Sequence, residues 1–128
     1  MAPAMVIINC DIEFITDKSE CIGICIDISS DIEKCISALE AIITRKINSL
    51  YLCYGKSKQI IRVQIGEKNI FMKETYDLHL SFADIEIIKH LLLDVFLNNG
   101  FPGYHYDVDV KNGIYDMQVS FIMQHPYL

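Results

Sequence analysis

Residues 104–121 constrain this chain more than any other segment, because two alternating runs meet there at Asn112-Gly113. Asn-Gly between such runs is a strong hairpin signal, since both residues tolerate the positive φ of a tight turn. Counting outward from that pair predicts the register. Val110 meets Tyr115, Val108 meets Met117, Tyr106 meets Val119 and Tyr104 meets Phe121 on one face. The other face sets His105, Asp107 and Asp109 against Ser120, Gln118 and Asp116, with Asp109 directly opposite Asp116. One face reads as core and the other as acidic. Like charges placed opposite each other cost a strand pair up to about 1 kcal/mol, so a fold that keeps them tolerates the loss or uses the field.

The chain has 128 residues, 52% of them hydrophobic. That predicts one domain over residues 1–128 with an ample core, residues 1–4 reading as a cloning or disordered extension before Met5. Short isoleucine-rich runs are broken by Asp, Glu and Lys, so no stretch approaches the roughly 20 apolar residues of a membrane span. The opening residues lack the basic start of a secretory signal. Five cysteines (Cys10, Cys21, Cys25, Cys35 and Cys53) form no C-x-x-C pair. They read as free thiols of a reducing cytoplasm.

The net charge of −6 is unevenly spread. Residues 1–44 and 74–128 are acidic, whereas residues 45–73 carry Arg45, Lys46, Lys56, Lys58, Arg62, Lys68 and Lys73 against Glu67 alone. Asymmetry of this kind points to charged partners. Lysines beside Tyr51 and Tyr54 suggest single-stranded nucleic acid, but the flanking acids would repel a phosphate backbone, so no nucleic acid is expected.

Two helices follow from period. Ser30-Asp31-Ile32-Glu33 reads as a capping box ahead of a stripe of Ile32, Cys35, Ile36, Leu39, Ile42, Ile43 and Ile47. Ser81 caps a second helix with Ile85, Ile88, Leu92, Val95 and Phe96 on its stripe, stopped by Asn98-Asn99-Gly100 and Pro102. Leu91, Leu93 and Leu97 widen that surface, and burial beneath loops is the expected reason. Strands are expected at 5–15, 21–28, 50–54, 59–65, 69–73, 104–110 and 114–123. Short links at 17–19, 55–58 and 66–68 favour antiparallel neighbours. The expected fold is therefore α+β in two layers, a mostly antiparallel sheet with two helices packed on one face. Each helix precedes a hairpin-like pair, which hints at duplication without a sequence match.

In that fold Asp11, Glu13, Asp27, Asp107, Asp109 and Asp116 share one open face with His105 and Gln118. A carboxylate-lined sheet face suits a basic protein, whose Lys and Arg it would steer and pair. Chemistry is harder to find. His105 with its neighbouring aspartates spreads along a flat strand, and Cys21 with Cys25 lacks a second ligand pair. Glu86, His90 and Asp94 have a helical spacing that can hold a metal or a protonated imidazole but more often forms a solvated face. Cys53 between Tyr51 and Tyr54 lacks an assignable base, and His79 and His125 have no assignable partners. Phosphate-loop, dinucleotide, zinc-protease and serine-hydrolase signatures are absent, so no catalysis, metal or cofactor is expected.

With its small size, its acidity and the acidic hairpin at 104–121, the chain resembles the immunity proteins with which bacteria neutralise nuclease toxins, including those of contact-dependent growth inhibition. That resemblance implies one-to-one occlusion of a basic toxin domain, with Asp107, Asp109 and Asp116 as leading contacts. The alternative is a non-catalytic homodimeric binding or assembly subunit.

Overall fold

The first strand run serves both ends of the sheet, and this decides the architecture. The computed structural model describes residues 5–16, 21–56, 58–98 and 104–123. It comprises β1 (Ile7–Asn9), β2 (Asp11–Thr16), β3 (Cys21–Asp27), α1 (Ile32–Ile43), β4 (Ser49–Tyr54), β5 (Gln59–Ile65), β6 (Ile70–Met72), β7 (Asp77–Leu80), α2 (Phe82–Asn98), β8 (Tyr104–Asn112) and β9 (Tyr115–Met123). The sheet order is β1-β4-β5-β7-β6-β8-β9-β3-β2. Its terminal strands, β1 and β2, are consecutive in the chain and separated by Cys10 alone. Residues 7–9 run parallel to β4, while residues 11–16 run antiparallel to β3. At the switch, the Cys10 amide donates to the Cys53 carbonyl at 3.0 Å. The sheet therefore curls into a nearly closed, barrel-like form.

This corrects the expected two-layer α+β arrangement, because nearly half the chain is strand and the helices do not lie as a layer on one face of an open sheet. Registers show where they sit instead. The tops of β3, β5, β7 and β9 lie at one end of the barrel, with the starts of β4 and β8. Both helices leave from and return to that end. The hairpin turns β4–β5, β6–β7 and β8–β9 lie at the other end, as does the junction of β2 with β3, whose linking residues 17–19 are outside the described residues.

Alternation supplies the core. Ile8, Cys10 and Ile12, then Ile24 and Ile26, Leu50 and Leu52, Ile61 and Val63, Leu78 and Leu80, Val108 and Val110, and Val119, Phe121 and Met123 all point inward and are buried. The helical stripes join the same cluster through Ile32, Cys35, Ala38, Leu39 and Ile42 of α1 and Ile85, Ile88, Leu92 and Val95 of α2. Helix α1 ends in a Schellman motif. Arg45, at φ 60°, donates to the Ile42 carbonyl, and Lys46 donates to that of Ala41. Ile87, Leu93 and Leu97 of α2 are 41%, 36% and 66% exposed. Burial beneath loops therefore does not extend to these positions among the described residues.

The order also holds a two-fold relation. Residues 7–16, β3, α1, β4 and β5 correspond in sequence to β6, β7, α2, β8 and β9. Exchanging the two sets returns the same cyclic strand order and the same pairings. Each set has an antiparallel first pair (β2–β3, β6–β7), a parallel first and third (β1–β4, β6–β8) and an antiparallel last pair (β4–β5, β8–β9). Parallel seams β3–β9 and β5–β7 join the halves. The suspected duplication is thus a duplication of topology.

Each helix start is tied to the beginning of its half, by the side chain of Asn69 just before β6 and by the backbone of Asn9 in β1. Asn69 accepts from the Ser81 amide at 2.7 Å and donates to Asp84 Oδ2 at 2.8 Å, while the Ser81 hydroxyl caps α2 against Asp84. Tyr106 donates to Asp84 Oδ1 at 2.8 Å. Burial alone would raise the Asp84 carboxyl, but hydrogen bonds from Asn69, Ser81 and Tyr106 together hold it below its ordinary value. At α1 the Asn9 amide donates to Asp31 Oδ2 at 2.8 Å, and the Ser30 hydroxyl donates to the Asn9 carbonyl at 3.0 Å. Ser30 therefore does not form the expected capping box. It lies in a 3₁₀ turn, Ser29–Asp31, that makes Asp31 the residue before the helix.

Two stability predictions follow from these contacts. A Cβ on Gly23 would sit 2.7 Å from the backbone oxygen of Gln118 across the β3–β9 seam, whereas one on Gly55 would meet nothing within 4 Å. Gly23→Ala should lose about 1–3 kcal/mol in urea unfolding, with Gly55→Ala unchanged or slightly stabilised. Asp84→Asn should destabilise by about 1–3 kcal/mol at pH 7 by leaving donors unmatched. A depressed carboxyl contributes stability above its unfolded value near 4 and loses it as pH falls through the folded value. The gap between wild type and Asp84→Asn should therefore narrow below about pH 4, measured by denaturation at fixed pH steps.

Candidate functional site: the acidic outer face

Outward positions of β8, β9, β3 and β2 form a grid on the barrel exterior. One row reads His105, Ile122, Asp27, Asp11. The next reads Asp107, Ser120, Cys25, Glu13, and the third Asp109, Gln118, Gly23, Ile15. Beyond them Lys111 faces Asp116. The eight residues singled out by alternation, Asp11, Glu13, Asp27, His105, Asp107, Asp109, Asp116 and Gln118, thus lie on one outer surface. Carboxylates concentrate on β2 and β8, three strand spacings or about 14 Å apart. Between them β9 and β3 carry Ile122, Ser120, Gln118, Cys25 and Gly23 beside the carboxylates of Asp27 and Asp116.

The hairpin register differs from the count made about Asn112-Gly113. Asn112 pairs with Tyr115, so the turn is Gly113-Ile114, with Gly113 at φ 64°. Moving the turn by one residue shifts the pairing by two, which preserves the faces and changes every partner. Asp109 meets Gln118 rather than Asp116, and Asp116 meets Lys111 in an ion pair. The expected like-charge pair is replaced by an opposite-charge pair. Glycine alone supplies the positive φ of the first turn position.

Local bonds organise the second row. Ser120 Oγ donates to Asp107 Oδ1 at 2.6 Å and His105 Nδ1 donates to the same oxygen at 3.0 Å. The Ser120 bond, with His105 behind it, holds the Asp107 carboxyl below its ordinary value. Burial, then the charges of Glu13 and Asp107, push the Cys25 thiol up. A thiol so placed is a poor nucleophile at neutral pH. Asp11, Glu13, Asp27, Cys25, Ile122 and Tyr54 line a shallow depression of ≈ 480 Å³ over β2 and β3.

Other sequence candidates do not converge. Cys53 lies on the outer face of β4 between Asn9 and Ile60, with no hydrogen bond from a histidine or carboxylate among the described residues. His79 pairs with Gln64 at 3.1 Å. Asp94 accepts from Asn98 on the same helix at 2.6 Å. No group of three or more His, Cys, Asp or Glu is placed to hold a metal among the described residues. The side chain of Cys21 and all of His125 lie outside them. The basic segment does not form one patch. Arg45, Lys46 and Lys68 sit at the helical end and Lys56, Lys58 and Lys73 at the turn end, leaving Arg62 on the outer wall. No helix among the described residues is long and apolar enough to cross a membrane.

Comparison with protein-family models, curated proteins and solved structures finds no match for the chain.

The field of the second row is measurable at its centre. Replacing Glu13→Gln together with Asp107→Asn should lower the Cys25 thiol pKa and speed its alkylation by iodoacetamide at pH 8, followed site by site with peptide mass spectrometry. An unchanged Cys25 rate would mean that the two carboxylates do not act on it.

Proposed function

We propose that this protein is a non-catalytic inhibitor of the immunity type, binding a basic protein through the outer face of β2, β3, β9 and β8. The observation that carries the reading is the grid itself, in which strands distant in sequence bring Asp11, Glu13, Asp27, Asp107 and Asp109 onto one surface. Lys111 neutralises only the outermost carboxylate, Asp116. Such a surface accelerates encounter with a cationic partner and favours register-specific pairing. The proposed partner is a basic toxin domain, of nuclease type, bound one-to-one and inhibited by occlusion. A reducing cytoplasm is the proposed compartment, in keeping with free Cys10, Cys25, Cys35 and Cys53 among the described residues.

Self-assembly through α2 is the second reading, favoured by the exposure of Phe82, Ile87, Leu93 and Leu97. Charge reversal separates the two. Asp107→Lys with Asp109→Lys should weaken a complex with a basic partner by about 100-fold or more, since close interfacial charge pairs couple by about 1.5 kcal/mol or more each. The same change should leave an α2-mediated homodimer intact. The measurement is capture from native lysate at low salt, elution on a salt gradient and native mass of the eluate. A one-to-one basic partner retained by wild type and lost by the variant supports inhibition. A self-dimer alone, or a complex indifferent to both charges, overturns the role of this face.

A further inference from the structure

The barrel interior ends, on the side of the hairpin turns, in a cavity of ≈ 260 Å³. Its lining positions on the strands continue the inward phase, and Lys73 and Tyr76 come from the turn between β6 and β7. Phe14 follows Ile12, Gln59 precedes Ile61, Asn112 follows Val110 and Met117 precedes Val119. The cavity is therefore the last layer of the barrel, where the filling of inward side chains stops.

Its chemistry differs from the layers above it. Aliphatic side chains dominate those layers, whereas this one is walled by aromatic rings. Tyr76 sits edge-on to Phe14 at 6.0 Å between centroids and to Phe71 at 6.2 Å. It is held at φ 54°, a left-handed conformation costly for an aromatic residue. Three polar side chains complete the lining: Lys73 and the amides of Gln59 and Asn112. Among the described residues Lys73 makes no ion pair and neither amide has a side-chain hydrogen bond. An aromatic wall with a few convergent polar groups is the usual make-up of a small-ligand site.

Size and charge narrow the ligand. A cavity of about 150 Å³ takes one benzene ring, so this one takes a fused pair of rings or a single substituted ring. The neighbouring turns carry Lys56 and Lys58 beside Glu74, and Lys111, paired with Asp116, lies near the end of β8. A cation at the wall with uncommitted amides beside it selects a planar anion. We propose that the turn-end mouth of the barrel binds a planar aromatic carboxylate, its rings against Phe14, Phe71 and Tyr76 and its carboxylate on Lys73. This site is separate from the acidic outer face and stands or falls independently of it.

The test uses 2-naphthoate and its neutral counterpart 2-naphthamide, each titrated to about 5 mM at 0.15 M salt. The chain contains no tryptophan and five methionines. Naphthalene fluorescence is thus free of indole background, and ¹³C-methyl labelling of methionine reports on the cavity through Met117. Naphthoate should move the Met117 methyl saturably while leaving exposed Met5 unmoved. Lys73→Met should weaken naphthoate about tenfold or more by removing a charge-assisted bond and leave naphthamide unchanged. Tyr76→Gly, which suits the left-handed backbone, should weaken both. An unmoved Met117, or equal binding of naphthoate by wild type and Lys73→Met, overturns the proposal.

Discussion

Everything in this fold depends on residues 7–16 being hydrogen-bonded to β4 over their first part and to β3 over their second. An open nine-stranded sheet would present two edges of unpaired backbone groups, a standing template for aggregation. Here both edges belong to one continuous run, and the exchange of partners occurs within a single residue. Cys10 meets the requirement on both counts. Its amide reaches the Cys53 carbonyl at 3.0 Å, and its side chain, only 6% exposed, points into the core. Burial, reinforced by the neighbouring Cys53, pushes its thiol up to about 12. A neutral, compact, apolar side chain is what the crowded inside of such a junction accommodates.

Closure explains why the two halves match in topology but not in sequence. A strand pair is specified by backbone bonds and by which face is apolar, and many sequences satisfy both. What must recur is narrower. Each helix starts at the same end of the barrel, and its first turn must be tied to the beginning of its half. The Asn9 backbone with Ser30 and Asp31, and the Asn69 side chain with Ser81 and Asp84, each make that tie. They differ in which side chains and which backbone groups make the bonds. The spacing from asparagine to serine differs as well, chiefly because β2 and β3 are each longer than β6 and β7. A search for repeated letters at a fixed period misses such a relation, while the strand order exposes it.

The same physics sets what was legible beforehand. Period-two alternation assigned inward and outward residues along β8 and β9, and a two-residue slip leaves that assignment intact. The faces were therefore readable although the register was not, and the outward carboxylates lie on one outer surface although Asp109 and Asp116 do not meet. The slip has a local cause, since Gly113 rather than Asn112 takes the first turn position. Helical stripes were readable because Ile32, Cys35, Leu39 and Ile42 repeat over three turns. β7 was missed because Asp77, Leu78, His79 and Leu80 offer only two apolar residues before the Ser81 cap. Curvature was missed for a deeper reason. Alternation is identical in a flat sheet and in a barrel wall, and closure rests on the pairing of β1 with β4, forty-four residues apart at Ile7 and Tyr51.

Alternation also separates the two proposed surfaces. Along β2, Asp11 and Glu13 face outward while Ile12 and Phe14 face inward, so one strand supplies both the acidic grid and the aromatic wall of the mouth. Along β8 the outward Asp107 and Asp109 alternate with the inward Val108 and Val110, and Asn112 ends the inward series at the cavity. On the two proposals, a wall one side chain thick would carry opposite preferences on its two sides: cations outside, a planar anion within. All the cations of the middle segment except Arg62 add to this by lying at the ends of the barrel, with Lys56, Lys58 and Lys73 beside the turns. Placed there, they leave the field of the β2–β3–β9–β8 exterior uncancelled and make the turn end the place where an anion is tolerated. A sequence uniformly acidic along its length would have the first property without the second, and the charge division of this chain acquires its structural meaning from that difference.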